Sequence, residues 1–355
     1  MADNTLAYGF VGLEHLMLER LTTVGARTVY DAIRQSAEEH SRQVNGLLAS
    51  LVERTTLHQE RFKLPGTGTL QPLDEWGNPK PVREAGYYDV AYPIQGGGTA
   101  FGVNRVTGAL MTVEDANQRT IESLKRDGDW IKRHVMAALF DNATWTYDDV
   151  EFGNLTIQPL ANGDTVAYTK VGGATAVDTH QLAQAAAIGD SANPFDDIYD
   201  ELMEHPSNEG PVVVYVPTNL TTTIEALTAF TEIGDPDLRY GVNTTQVAAP
   251  FTRGLGDEVL GKVNKCWIVE WRSLPDSYML AHAQGAGPVM AMREYPAAGL
   301  QGLFTESHSP DGNLQETRLI RYAGFGVRNR IAALVYRIGD ASYAIPSGYD
   351  APLAV

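Results

Sequence analysis

Residues able to do chemistry are sparse in this 355-residue chain. The densest acidic run holds Asp196, Asp197, Asp200, Glu201, Glu204 and His205. On a helix Asp197, Asp200 or Glu201, and Glu204 share a face, and carboxylates so spaced could bind a hard cation weakly. No glycine-containing calcium loop and no HExxH pair accompanies them, so the expectation is a solvated helix face. The stretch from Gly96 to Gly102 is rich in glycine but lacks the Gly-Lys-Ser/Thr ending and the GxGxxG spacing of phosphate loops. Strand flexibility is the use it suggests. Cys266 is the one cysteine, which rules out an internal disulfide and a four-cysteine zinc site. Between Lys265 and Trp267 in a strand pattern, it reads as a small buried hydrophobe. The histidines stand singly and no GxSxG elbow is present to pair with one. Arg318, Arg321, Arg328, Arg330 and Arg337 form the densest basic region and are expected to meet carboxylates elsewhere, within or between subunits. No catalytic, cofactor or metal site is assigned on these residues. A metal-assisted hydrolase built on the acidic helix near Asp197 is the one enzyme reading that survives as an alternative.

Composition narrows the class further. Apolar residues make up 43% and charged residues 20%, which excludes a disordered chain. At this length folding buries roughly 75% of the unfolded surface, so no disulfide staples are needed for a core. No apolar run approaches the roughly 18 residues of a membrane span, and no secretory signal pattern opens the chain. Net charge is −17, and residues 143–210 carry twelve acidic side chains against one basic residue, Lys170. Acidity so concentrated argues against tight binding to nucleic-acid phosphates. It is compatible with enclosing nucleic acid, because a container must not stick to its contents.

The positioning elements come next. Val29, Ile33, Ala37, Val44, Leu48 and Leu51 recur at helical spacing within the first 55 residues, with Thr28 as a plausible N-cap. This apolar stripe needs a surface to cover it, either of its own domain or of another subunit. Residues 56–111 lose helical periodicity and read as a long hairpin, with Asp74 to Pro81 as its turn. An isolated two-stranded ribbon is marginal in water, so the arm must lie on something else, and Trp76 at its tip is a candidate contact. Thr112 then opens the clearest helix, to Asp141, with Asp115 at capping-box spacing and Gly128 as a weak point. Val212 to Val216 is a buried strand. Thr221 to Phe230 reads as a helix, and 231–256 as loops. Cys266 to Trp271, Tyr278 to Ala283 and Val289 to Tyr295 read as strands. After a turn at Ser309 to Asn313, two long strands are expected, Glu316 to Tyr322 and Val327 to Ile338, separated at Gly324 and Gly326.

This order of parts resembles the tailed-phage major capsid protein, the Hong Kong 97 fold. Local strings carry the resemblance: Leu139-Phe-Asp-Asn-Ala143, Gly153 to Gly163, Asn193-Pro-Phe195, Glu204-His-Pro206, Val213-Val-Tyr-Val-Pro217, Met292-Arg-Glu294 and Gly324 to Arg330. The resemblance implies an α+β fold with a helical N-arm over 1–55 and an E-loop hairpin over 56–111. The spine helix and the first part of the P-domain follow over 112–182, the A-domain over 183–300, and the C-terminal P-domain strands and tail over 301–355. It implies a structural protein of hexamers and pentamers in an icosahedral shell around double-stranded DNA, found in the virion and assembled in the host cytoplasm. Trp76, Asn78 and Lys80 at the E-loop tip, with Leu238, Arg239 and Tyr240 in the A-domain loops, are the expected contacts between subunits. The implied partners are other copies of the chain, a portal, cement proteins and a scaffolding protein. The scaffold is expected to be separate, since only about 55 residues precede the E-loop. An encapsulin-type cargo shell is the alternative within the fold.

Some members of that family join an E-loop lysine to a neighbour's asparagine, with a glutamate accepting the proton. The candidates here are Lys63 or Lys80 with Asn329. No glutamate follows Glu316, so the carboxylate has no counterpart beyond Asn329, and only Glu294 or Glu306 could be recruited. A shell without covalent cross-links is expected.

Overall fold

The computed structural model describes residues 9–10, 12–63, 72–79, 86–104, 109–163, 165–233, 258–308, 314–351 and 353. A short helix α1 (Leu21–Val24) leads into α2 (Ala26–Leu48). The latter is capped at Gly25, at φ +97°, three residues earlier than the expected cap at Thr28. Gly25 can turn the chain between two helices at that φ, where a Cβ would be strained. The stripe of α2 is covered by its own chain: Val29, Ile33 and Ala37 pack with Val113, Leu124, Leu303 and Leu319. Strands β1 (Val52–Thr55), β2 (Gln59–Lys63), β3 (Tyr87–Ala91) and β4 (Gln95–Asn104) follow. Strands β2 and β3 pair antiparallel, as the base of an arm. That base also rests on its own subunit, because Tyr88, Val90 and Tyr92 pack against Tyr168, Ala291 and Ile331.

Helix α3 (Val113–Phe140) runs 28 residues, about 42 Å, unbroken through Gly128. Its reciprocal capping box is formed: Thr112 Oγ1 accepts the Asp115 N–H, and Asp115 accepts the Thr112 N–H. The small pairs β5 (Trp145–Asp149) with β6 (Gly153–Ile157), and β7 (Ala167–Thr169) with β8 (Thr175–Val177), then lead to β9 (Gln181–Gln184). Helix α4 (Phe195–Met203), strand β10 (Val212–Val216) and helix α5 (Thr218–Glu225) come next. Helix α5 starts three residues before the expected Thr221 and ends five before Phe230, since Pro217 sets its start and Phe230 joins β11 (Phe230–Glu232). Of the loops expected over 231–256, residues 231–232 belong instead to β11 and 234–256 lie outside the described residues, as does the turn at 309–313.

The remaining strands are β12 (Glu258–Val263), β13 (Cys266–Glu270), β14 (Tyr278–Ala283), β15 (Met290–Arg293), β16 (Leu303–His308), β17 (Leu314–Val327) and β18 (Ala333–Ile338). Seven strands make one mixed sheet in the order β11-β12-β13-β10-β14-β18-β9. Alternation along β10 shows how it is buried on both faces. Val212, Val214 and Val216 face α4 and α5 through Phe195, Ile198 and Ile224, while Val213 and Tyr215 join Ile131, Val135, Leu139 and Phe140 of α3. The second sheet centres on β17, flanked by β15 and β16 and paired with β4 from Gln95↔Ala323 to Asn104↔Leu314.

Two glycine groups behave differently from expectation. Strand β17 does not break at Gly324 and Gly326 but runs through them for 14 residues. There the chain at Tyr92 to Ile94 crosses the strand so closely that a Cβ on Gly324 would stand 1.7 Å from the Pro93 carbonyl oxygen. Likewise Gly96 and Gly97 serve close packing rather than flexibility. Added Cβ atoms would lie 2.7 Å from the Tyr322 ring and 2.8 Å from Trp130 Nε1. Gly324→Ala is therefore expected to cost about 3 kcal/mol or more, since backbone rather than a flexible side chain must yield. Gly46→Ala, in an exposed helix position with nothing within 4 Å, should stabilise by up to about 1 kcal/mol. Urea midpoints of the two variants against wild type check both signs.

Candidate assembly surface and buried charge clusters

Three structural features bear on the chain's chemistry: the tip of the arm, a set of buried ion pairs, and one proton-rich cluster. At the tip, Asp74 organises the turn. Its Oδ1 accepts the N–H groups of Trp76 (2.9 Å) and Asn78 (2.7 Å), and its Oδ2 accepts Asn78 Nδ2 at 3.1 Å. The backbone N–H of Asn78, foremost among these donors, holds the Asp74 carboxyl below its ordinary pKa. Asn78 is thereby committed to the turn itself. Trp76 projects from it, 86% exposed, with Leu73 exposed beside it. The turn is thus preorganised by Asp74, and the indole it carries is bare. Lys80, Leu238, Arg239 and Tyr240 lie outside the described residues.

The arginines are largely spent on internal partners. Arg321, 1% exposed, clamps Asp127 of α3 through Nε (2.7 Å) and Nη2 (2.8 Å), and His40 of α2 completes the group at 2.9 Å. Burial alone would raise the Asp127 carboxyl, but Arg321 and His40 outweigh it and the pKa is lowered. Arg328 pairs with Glu53 and with Glu60, the latter at 2.6 Å. Arg330 donates to two carbonyls, Pro159 O at 2.8 Å and Asn162 O. Arg337 meets the local Asp340 at 3.2 Å, and Arg318 stands opposite Glu306 across β17 and β16. Arg293, outside that basic region, is buried between Asp149 (2.8 Å) and the Tyr92 carbonyl (3.0 Å).

The cross-link candidates are similarly occupied. Asn329 is 6% exposed and donates through Nδ2 to Ala286 O at 3.1 Å. Glu294 is buried, held by Arg54 and by the Gly302 N–H at 2.9 Å. Lys63 and Glu306 are exposed. Cys266 is fully buried, and burial pushes its thiol up to about 12, which suits an inert core residue.

The acidic run divides in two. Asp196, Asp197 and Asp200 are exposed, as a solvated helix face should be, whereas Glu201, Glu204 and His205 turn inward. They meet Asp178, which no periodic spacing links to them. His205 Nε2 lies 3.0 Å from Asp178 Oδ2 and Nδ1 lies 3.2 Å from Thr169 O. Lys170 Nζ donates to Glu204 at 2.6 Å. The ammonium thus places a positive charge beside the cluster. Helix α4 ends at Met203, so Glu201 lies in its last turn, Glu204 caps it and His205 follows just beyond.

No helix among the described residues is long and apolar enough to cross a membrane. No family model and no curated protein matches the chain. Solved structures do. A chain of Mycobacterium phage Patience aligns over 98% of both chains at 20% identity with a TM-score of 0.64. A capsid chain of the empty GTA particle aligns over 84% of this chain and 89% of its own at 12% identity, with a TM-score of 0.50. At such identities the likeness is one of fold, and the chain has the α+β Hong Kong 97-type capsid fold.

Proposed function

We propose that the chain is the major capsid protein of a tailed double-stranded DNA bacteriophage, a structural protein that assembles with copies of itself into hexamers and pentamers of an icosahedral shell. One observation carries the reading: the fold agrees end to end, over 98% of both chains, with a phage chain of the same architecture. The chemistry agrees with it. Groups that could act on a substrate are tied into internal pairs, Arg321 with Asp127, Arg293 with Asp149 and Lys170 with Glu204. In this reading residues 1–55 are the N-arm, 56–111 the E-loop, 112–182 the spine helix and first P-domain part, 183–300 the A-domain and 301–355 the last P-domain strands. A separate scaffold, a portal and cement proteins are its partners in the host cytoplasm, and the shell holds DNA without reading its sequence. Electron microscopy of particles purified from their natural source should show icosahedral shells filled with DNA. A stable 38.6 kDa monomer as the sole native form would end the proposal, and shells loaded with protein cargo would move it to an encapsulin.

The shell is held without covalent cross-links. Asn329 keeps its amide inside the subunit and Glu294 is bound to Arg54, so neither can meet a lysine of a neighbour without breaking internal bonds. Mature particles boiled in denaturant and reductant should run as one band near 38.6 kDa. A ladder of multiples would overturn this.

A further inference from the structure

We infer that Asp178, Glu201 and His205 form a proton-operated latch that fixes the β7–β8 hairpin onto helix α4, closed when two protons are bound and loosened when either is lost. His205 presents Nδ1 to a carbonyl, Thr169 O, and Nε2 to a carboxylate oxygen of Asp178. A carbonyl only accepts and an ionised carboxylate only accepts, so both ring nitrogens must carry hydrogen. The carboxyl of Glu201 stands against that of Asp178, and the contact raises the one and lowers the other. Two carboxylates cannot donate to each other, so that contact needs a second proton. Asp178 is therefore the common acceptor of two donors whose protons both leave on the alkaline side.

Among the charged groups facing the pair, Glu204 favours a proton on Glu201 and Lys170 opposes it, with the smallest effect of all. Lys170 is engaged by Glu204 and its pKa is raised by that hydrogen bond. Glu204 adds negative charge near both Glu201 and His205. His180, whose ring meets Tyr168 edge-on as His205 does, lowers Asp178. Burial first, then the contact with Asp178, pushes Glu201 up to about 7. For His205 burial acts downward, but the bonds to Asp178 and Thr169 prevail and the pKa is raised.

The sign follows for each group. Glu201 binds its proton more tightly folded than unfolded, so its contribution falls as pH rises from about 4.5, its unfolded value, to about 7. His205 contributes fully below about 6.5 and loses its share as pH rises through its higher folded value. Both weaken the latch in the same direction. Asp178, held low, loses its part only in acid below its ordinary range.

The latch has a defined reach. Besides these contacts the hairpin is tied to the end of α4 by the Val171 N–H donating to Glu204 O at 2.6 Å. Helix α4 in turn packs on β14 and β18 of the seven-stranded sheet. The exposed side chains of Val171 and Val177 ride on the hairpin, so the protonation state sets how firmly that apolar surface is presented.

Hydrogen exchange of the full-length protein between pH 6 and 8, corrected for intrinsic rates, tests the latch. Protection of residues 167–178 should fall about tenfold over that range, against little change in β10 and α3. Glu201→Gln, whose amide donates to Asp178 at any pH, should hold more protection at pH 8 than wild type. Lys170→Met should weaken the hairpin at every pH and keep the slope. No fall in the wild type, the same fall in E201Q, or a slope abolished by K170M would each overturn the inference. Should E201Q fail to fold, wild type still decides: a fall shared by the whole chain, or none, refutes the latch.

Discussion

Arg321→Met should cost about 3–5 kcal/mol, because it strands Asp127 as an uncompensated charge in the core. The pair lies where three elements meet. Arg321 comes from the middle of β17, Asp127 from α3 and His40 from α2, and Ser41 Oγ links the group to the Leu303 N–H of β16 at 2.9 Å. Removing the guanidinium leaves the carboxylate only His40 as a strong partner. Replacing both partners, Arg321→Met with Asp127→Leu, removes the stranded charge, so the double variant should be more stable than the single one. Urea unfolding of unassembled subunits, read as midpoints at constant slope, measures both. A double variant as unstable as R321M would show that packing alone, not charge, is lost. The wild type should also weaken in acid. Asp127 is held below its ordinary pKa, so its contribution is present above about 3.8 and is lost as pH falls through its lower folded value.

That group illustrates what could and could not be read from residue order. Thr112 and Asp115 announced the start of α3, and both capping bonds are made, because a cap depends only on residues three apart. The buried strand Val212 to Val216 was equally legible, since its own residues carry the apolar signal. Asp127 sits 194 positions before Arg321, and Asp178 sits 27 before His205. Neither spacing has a period to betray it; sheet register and helix packing choose the partners. The glycines failed for a related reason. Gly324 looked like a break because local propensity says so, while the tertiary crossing of Pro93 over the strand is what requires the missing Cβ. Most of the candidate contact surface is local in the same sense as a cap: Asp74, Trp76 and Asn78 form a turn from five consecutive residues, so the tip was readable before its geometry was known.

Trp76→Ala should leave the subunit intact and cripple the shell. The side chain is 86% exposed, so its loss removes almost no packing within the subunit, and subunit unfolding should shift by no more than about 0.5 kcal/mol. At an interface the same indole, buried against a neighbour, is worth about 2 kcal/mol or more. A closed shell repeats that contact at every subunit, so even a modest loss per contact shifts the assembly equilibrium far toward free capsomers. Asp74→Ala offers an independent probe. It keeps the indole but removes the acceptor of two backbone N–H groups and the Asn78 amide, so the anchor loses its preorganisation and must be ordered on binding. Its effect on assembly should be in the same direction and smaller. Particle yield by sedimentation and particle melting by scanning calorimetry, alongside circular dichroism of the free subunit, separate folding from assembly. If W76A particles form in normal yield and melt at the wild-type temperature, the tip of the arm touches no neighbour.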